Sequence, residues 1–272
     1  MSDPDGAVRS AADQRRLVRE RYAGIAAEGS GGGCCADGCE CGCDSSSADE
    51  QSRAVGYDDE ALDSVVEGAN LGLGCGNPTA IANLNAGETV LDLGSGAGFD
   101  CFLAAQAVGP TGRVLGVDMT PEMVEKAREN ARRNDAETVE FRLGEIEHLP
   151  VADEAVDVVV SNCVVNLSPD KERVFAEAFR VLRPGGRVAI SDVVQTAPFP
   201  DDVREDPEAL AACVSGAATV ADLEEMLDTV GFEAVAIAPK DESASFIREW
   251  NDSRDLSEFL VSSAIEARKP RR

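Results

Sequence analysis

Apolar residues recur along this chain with two different periods, and the switch between them marks its organisation. From Asp13 to Ala27, Leu17, Val18, Tyr22 and Ile25 fall at helical spacing and predict one helix. Gly29 to Ser47 carries glycine, serine and cysteine with few apolar positions, so it is expected to be mobile unless it binds something. Residues 53–87 read as a second irregular stretch holding the turn-forming run Gly72-Leu73-Gly74-Cys75-Gly76-Asn77-Pro78.

From Glu88 onward, short apolar runs alternate with amphipathic ones. Thr89 to Leu93 and Arg113 to Asp118 predict buried strands, separated by a glycine loop and an apolar helix from Phe99 to Val108. Thr120-Pro121 supplies a cap and a first-turn proline for a helix to about Asn134. Thr138 to Leu143, Val156 to Ser161 and Val188 to Ser191 predict further strands, with a capped helix from Ser168 to Leu182 between the last two. Thr219 opens another helix to about Val230, and Phe232 to Ile237 and Phe246 to Trp250 read as strands. The alternation implies an α/β fold with a mostly parallel sheet covered on both faces. Three parts are expected: residues 1–52, an N-terminal helix and cysteine-rich segment; 53–195, a ligand-binding α/β domain; and 196–272, a small α+β region.

Charge narrows the partners. The 272 residues include 51 acidic and 25 basic side chains, a formal net charge of −26. Such a field repels phosphate backbones and anionic membrane surfaces, so neither nucleic acid nor membrane is an expected partner. No apolar run is long enough to span a bilayer. The N-terminus, Met1 to Gly6, lacks the basic and apolar regions of a signal peptide, so a cytoplasmic protein is expected. The only lysines are Lys126, Lys171, Lys240 and Lys269; a surface rich in carboxylates and poor in lysine fits a protein adapted to concentrated salt, a halophilic reading.

Nine cysteines change the picture again: Cys34, Cys35, Cys39, Cys41, Cys43, Cys75, Cys101, Cys163 and Cys213. An odd number without a secretory signal argues against a disulfide framework and for reduced thiols that take a soft metal or metalloid, or do redox work.

The loop Asp92-Leu93-Gly94-Ser95-Gly96-Ala97-Gly98 joins a strand to a helix and brings bare amides to a ligand. Phe99 stands where the dinucleotide fingerprint needs its third glycine, and there is no Gly-Lys-Ser/Thr, so a P-loop is excluded. Asp118 ends the second strand, where a carboxylate can take both hydroxyls of a ribose. With Gly144-Glu145-Ile146 and Leu182-Arg183-Pro184-Gly185-Gly186, this part of the chain, residues 86–195, resembles the Rossmann-like class I S-adenosylmethionine-dependent methyltransferases. The resemblance makes 53–195 the S-adenosylmethionine-binding domain. It implies that Asp92, Gly94, Ser95, Gly96 and Gly98 hold the methionine part, Asp118 and Met119 the ribose, and Glu145 and Ile146 the adenine, with Asn162 also at the cofactor.

The acceptor is read from what surrounds that core. The Asn/Asp-Pro-Pro-Tyr of amide and amine methylation is replaced by Ser161-Asn162-Cys163-Val164-Val165-Asn166-Leu167, the one histidine, His148, lies in a polar loop, and aromatic cages are not available at 4% aromatic residues. Sulfur remains. Cys101 sits on the apolar face of a helix and reads as core, whereas Cys75, Cys163 and Cys213 fall where chemistry can use them. These motifs, with Tyr22-Ala23-Gly24-Ile25-Ala26 before Cys34-Cys35 and the run Phe246 to Trp250, resemble the arsenite S-adenosylmethionine methyltransferases over nearly the whole chain.

The resemblance implies that Cys75, Cys163 and Cys213 bind As(III), that Cys34 or Cys35 adds a thiol, and that arsenite and then methylarsenite accept the methyl group. It makes residues 196–272 the arsenic-site region, implies a thiol reductant (thioredoxin or a small thiol), and requires no catalytic metal. Cys39, Cys41 and Cys43 exceed that need; they could relay arsenic, bind zinc or copper, or belong to a disordered tail. Methyl transfer to a quinone, sterol or thiol is the alternative activity, and a metal-binding or sensing protein is the non-enzymatic one.

Overall fold

In the computed structural model, residues 10–28, 45–66, 68–250 and 254–271 are described. Their elements run α1 (Ala11–Glu28), α2 (Ser45–Ala54), α3 (Asp59–Asp63), α4 (Pro78–Ala82), β1 (Thr89–Leu93), α5 (Phe99–Val108), β2 (Arg113–Asp118), α6 (Pro121–Arg133), β3 (Val139–Leu143) and β4 (Val156–Asn162). They continue with α7 (Lys171–Val181), β5 (Leu182–Gln195), α8 (Asp201–Arg204), α9 (Pro207–Ala211), α10 (Val220–Val230), β6 (Glu233–Pro239), α11 (Ala244–Ile247) and β7 (Leu260–Arg268). The seven strands form one sheet in the order β3-β2-β1-β4-β5-β7-β6. The first five are parallel, and β7 lies antiparallel between β5 and β6. This is the expected Rossmann-like α/β sheet. β1 leads to β2 on one side and pairs with β4 on the other, so a crevice opens at their carboxyl ends, where such sheets take ligands.

Apolar runs make the central strands because helices cover both of their faces. Leu91, Leu93, Val159, Val188 and Ile190 pack on one side with Phe175, Val181 and Leu227 of α7 and α10. Val90, Val114, Val158 and Val160 pack on the other with Cys101, Phe102 and Val124 of α5 and α6. A third cluster caps the carboxyl edge and contains Val18 of α1, Cys75, Cys163, Cys213, Val193 and Leu260. Local signals set the helix ends: Thr120 precedes Pro121 at the start of α6, and Thr219 with Asp222 forms a reciprocal cap on α10.

Three expectations need correction. Phe246 to Trp250 is not a strand but α11 followed by a 3₁₀ turn, with the two rings 5.8 Å apart at helical spacing. The strand that does exist nearby, β7, was not anticipated, because Ser262 and Ser263 break its apolar pattern although both are fully buried. Residues 196–272 therefore supply β6 and β7 to the same sheet, so the boundary at 195/196 falls between strands of one layer. The stretch 53–87 also carries more order than expected, in the end of α2 and in α3 and α4. Among the described residues, no helix is long and apolar enough to cross a membrane.

Candidate active site

The glycine loop after β1 forms the floor of a cleft holding about 1070 Å³ of space, its open mouth included. Gly94 has a φ of +71°, and a Cβ there would lie 2.4 Å from Val164, so a larger residue would strain the turn and collide with the opposite wall. Gly96 lines the cleft and has nothing within 4 Å of a Cβ position, so space stays free beside it. Asp118, at the end of β2, accepts from the Gly96 amide at 3.0 Å and the Thr120 amide at 2.8 Å. Burial raises its pKa, while these amides oppose the rise.

Asp92 is 3% exposed, and burial followed by the nearby Asp100 pushes its carboxyl well above the usual range. Such a group favours a cationic neighbour, which would return it to the charged form. Ser95 Oγ is buried at the cleft and has no hydrogen-bond partner among the described residues. A buried acid, a hydroxyl with no partner among the described residues and the free space beside Gly96 fit the ammonium and carboxylate ends of S-adenosylmethionine.

Of the residues expected at the cofactor, Asp92, Gly94, Ser95, Gly96, Asp118, Met119, Ile146 and Asn162 line the cleft. Gly98 starts α5 just behind the wall. Glu145 lies outside the lining and faces α1, with Arg15 Nε at 3.4 Å and an Arg19 nitrogen at 3.6 Å. Glu147 lines the cleft in its place, accepting from Ser168 Oγ at 2.7 Å. Sequence reasoning also missed the wall made by Arg15, Val18 and Tyr22 of α1 and by Tyr57 and Asp100. The helical spacing of α1 was visible; its partner surface was not. His148, as expected, is exposed.

Cys75, Cys163 and Cys213 come together at the carboxyl edge, each at most 6% exposed. The thiols do not all stand free: Cys75 and Cys163 are joined by a disulfide, with their Cα atoms 5.8 Å apart. The expectation against disulfides is corrected here, for a count of cysteines carries no information on which pair the fold brings within bridging distance. Cys213 Sγ donates to the Cys163 carbonyl at 2.6 Å. Burial, and then Asp192, raises the Cys213 thiol well above its ordinary pKa, and a hydrogen bond with Tyr22 opposes the rise. Asp192, another residue the sequence did not single out, is 2% exposed and places a carboxylate oxygen within 4.8 Å of the Cys75 and Cys163 sulfurs. Burial pushes its pKa up to about 7. Cys101 is core, as expected, its thiol donating to Asp92 at 3.2 Å. Cys34, Cys35, Cys39, Cys41 and Cys43 lie outside the described residues.

Cys163 is the sulfur that touches both regions: it lines the cleft and belongs to the cysteine cluster. The cofactor and sulfur sites are therefore contiguous.

Comparison with known proteins gives the same assignment. Residues 84–231 match the family model of a methyltransferase domain. The chain is 65% identical to an arsenite methyltransferase of Halobacterium salinarum, over 96% of this chain and 68% of that protein. It is 46% identical to an arsenite methyltransferase of Aquipseudomonas alcaligenes, over 54% of this chain and 44% of that one. Among solved structures, an arsenic(III) S-adenosylmethionine methyltransferase from Chlamydomonas reinhardtii superposes with a TM-score of 0.59 at 35% identity, covering 81% of this chain and 73% of that one. The glycine-floored cleft, the three gathered cysteines and these relationships agree: the chain belongs to the arsenite methyltransferase family, S-adenosylmethionine-dependent transferases.

Proposed function

We propose that the chain methylates As(III), first as arsenite held by Cys75, Cys163 and Cys213 and then as methylarsenite held by Cys163 and Cys213, in the cytoplasm and with a dithiol as reductant. The observation that carries this reading is the gathering of three buried cysteines beside the cleft, one of them in its wall. With the disulfide reduced, each thiol gives its proton to a hydroxide of arsenite, which leaves as water. Three arsenic–sulfur bonds replace three arsenic–oxygen bonds, and the lone pair on arsenic is kept. S-adenosylmethionine supplies an electrophilic methyl on a sulfonium. Cys163 and the cleft wall hold arsenic facing it, and such orientation is worth on the order of 7–11 kcal/mol in well-aligned systems.

No general base is required, since no proton leaves arsenic. Forming the carbon bond takes two electrons from arsenic. Cys75 and Cys163 can return them by leaving as a disulfide, the pairing found in the structure. Arsenic is then trivalent again, bound to one thiolate and to a hydroxide from water, whose proton passes to solvent. A dithiol reduces the Cys75–Cys163 bond and becomes a disulfide itself.

The test is incubation with arsenite, S-adenosylmethionine and a dithiol, followed by arsenic speciation. Methylarsenicals should accumulate over many turnovers only with all three present. Protein reduced and then stripped of dithiol should complete about one turnover and stop with Cys75 and Cys163 bridged. Tight arsenite binding with no methylated product would reject the reading.

A further inference from the structure

Cys75 and Cys163 are 88 residues apart in sequence, so connectivity alone leaves their sulfurs far from a bonding encounter. Something else must hold them together whenever the bridge is open. Asn162, the last residue of β4 and the neighbour of Cys163, makes the contacts that can do so. Its Oδ1 accepts from the Cys75 amide at 3.0 Å, and its Nδ2 donates to the Gly76 carbonyl at 2.8 Å. One side chain thus grips the backbone on both sides of the Cys75 side chain. The same Nδ2 reaches the Tyr57 hydroxyl at 3.0 Å and Asp100 at 3.3 Å, and Tyr57 in turn donates to Asp100 at 2.6 Å. Ser262 Oγ of β7 also donates to the Cys75 carbonyl at 2.7 Å. The fit leaves no spare room, since a Cβ on Gly74 would lie 2.5 Å from Asn162 Nδ2.

We infer that Asn162 is a positioning residue, fixing Cys75 against the end of β4 so that its sulfur stays within bonding reach of Cys163 in both redox states. Its amide atoms are committed to protein partners, which distinguishes this role from the cofactor contact that the resemblance implied. The value of this inference for catalysis rests on the reading of Cys75 and Cys163 as arsenic-binding thiols, but the positioning itself does not.

The experiment is a redox titration of the full chain in graded oxidised and reduced dithiothreitol, with no arsenic and no S-adenosylmethionine. Alkylation followed by mass spectrometry of the Cys75 and Cys163 peptides reads the bridged fraction. Asn162→Ala should lower the equilibrium constant for closing the bridge roughly tenfold, a potential about 30 mV less negative for this two-electron couple. Gly74→Ala presses on the same amide and should shift the potential in the same direction. A residue that only supports the fold would lower the melting temperature of both redox forms alike and leave the potential unmoved. An unchanged potential in the folded Asn162→Ala chain overturns the inference; should that chain fail to fold, an unchanged potential in Gly74→Ala does so. Failure of the wild-type chain to methylate arsenite would reject the proposed function and leave the titration result standing.

Discussion

Cys163 and Cys213 both adopt left-handed backbone, with φ of +57° and +64°. That region costs an L-residue about 1–2 kcal/mol, and such outliers gather where a site over-determines the geometry. Here the Cys163 amide donates to the Ser191 carbonyl at 2.8 Å, and Cys213 bonds back to Cys163. Glycine at either position should therefore give a chain about 1 kcal/mol more stable than alanine there, measured by urea unfolding under reducing conditions. Activity should sort the same cysteines by a count of bonds. Arsenite has three exchangeable ligands, whereas methylarsenite has two, because its carbon does not exchange. Cys163→Ser and Cys213→Ser should abolish methylation of both arsenicals, and Cys75→Ser should abolish only the arsenite reaction. If Cys163→Ser still methylates methylarsenite while Cys75→Ser cannot, the assignment of the indispensable pair is wrong. Asp118→Ala should weaken S-adenosylmethionine binding by about 1.5–3 kcal/mol per charged hydrogen bond lost, and calorimetry showing unchanged affinity would reject its ribose role. The cysteines were legible in the sequence because thiols have few ordinary uses on a strand end or in a glycine turn. Tyr57, Asp100, Asp192 and Ser262 were not, since they are common residue types brought to the site by contacts far apart in the chain.

Helix α5 shows how an element turns an ordinary acid into a sensitive one. Asp100 lies in its first turn, where the helix end favours a negative charge. Burial outweighs the Tyr57 and Asn162 hydrogen bonds, raising the pKa from 3.8 to about 6. The folded chain therefore keeps this proton where the unfolded chain has lost it. The stability it contributes is full below pH 3.8 and is lost as pH rises through about 6. Asp100→Asn, which cannot titrate, should gain on the wild type between pH 4 and pH 7 by on the order of 3 kcal/mol. Urea unfolding of both chains across that range checks the sign, and a difference independent of pH would reject it. Elements whose pattern is local were the ones that sequence could supply: β1, β2, α5 and α6 carry apolar runs, a glycine turn or a proline cap. β7 was hidden because two serines, Ser262 and Ser263, stand at fully buried positions of the strand. Ser262 Oγ bonds Cys75, and its amide donates to Ser243 Oγ at 3.0 Å, so a buried strand reads as a polar one.

At the scale of the molecule, the charge of −26 is the property that no local contact explains. The ion pairs do not offset it. Most join partly exposed arginines to carboxylates, pairs worth roughly 0–1 kcal/mol that added salt weakens further. Lys269 is 7% exposed and donates to the carbonyls of Phe179 and Leu182, so this rare lysine serves the interior rather than the surface. What remains outside is a field of carboxylates, as on α10, where Glu224, Glu225 and Asp228 are exposed at helical spacing with no basic residue in the helix. Like charges three and four residues apart repel, and folding brings them closer than the unfolded chain does. The screening length falls from about 30 Å at 0.01 M salt to about 3 Å at 1 M, so repulsion is removed over the range where attraction between exposed pairs has little left to lose. Melting temperature should therefore rise from dilute to molar potassium chloride. Glu224→Gln, Glu225→Gln and Asp228→Asn together should raise it in dilute buffer and flatten its dependence on salt. The charge-neutral comparison matters because concentrated salt also strengthens apolar burial; that contribution is common to both chains and cancels in their difference. A melting temperature that stays flat or falls with salt, or a triple variant whose salt slope equals that of the wild type, would reject surface repulsion as a force that salt relieves in this chain.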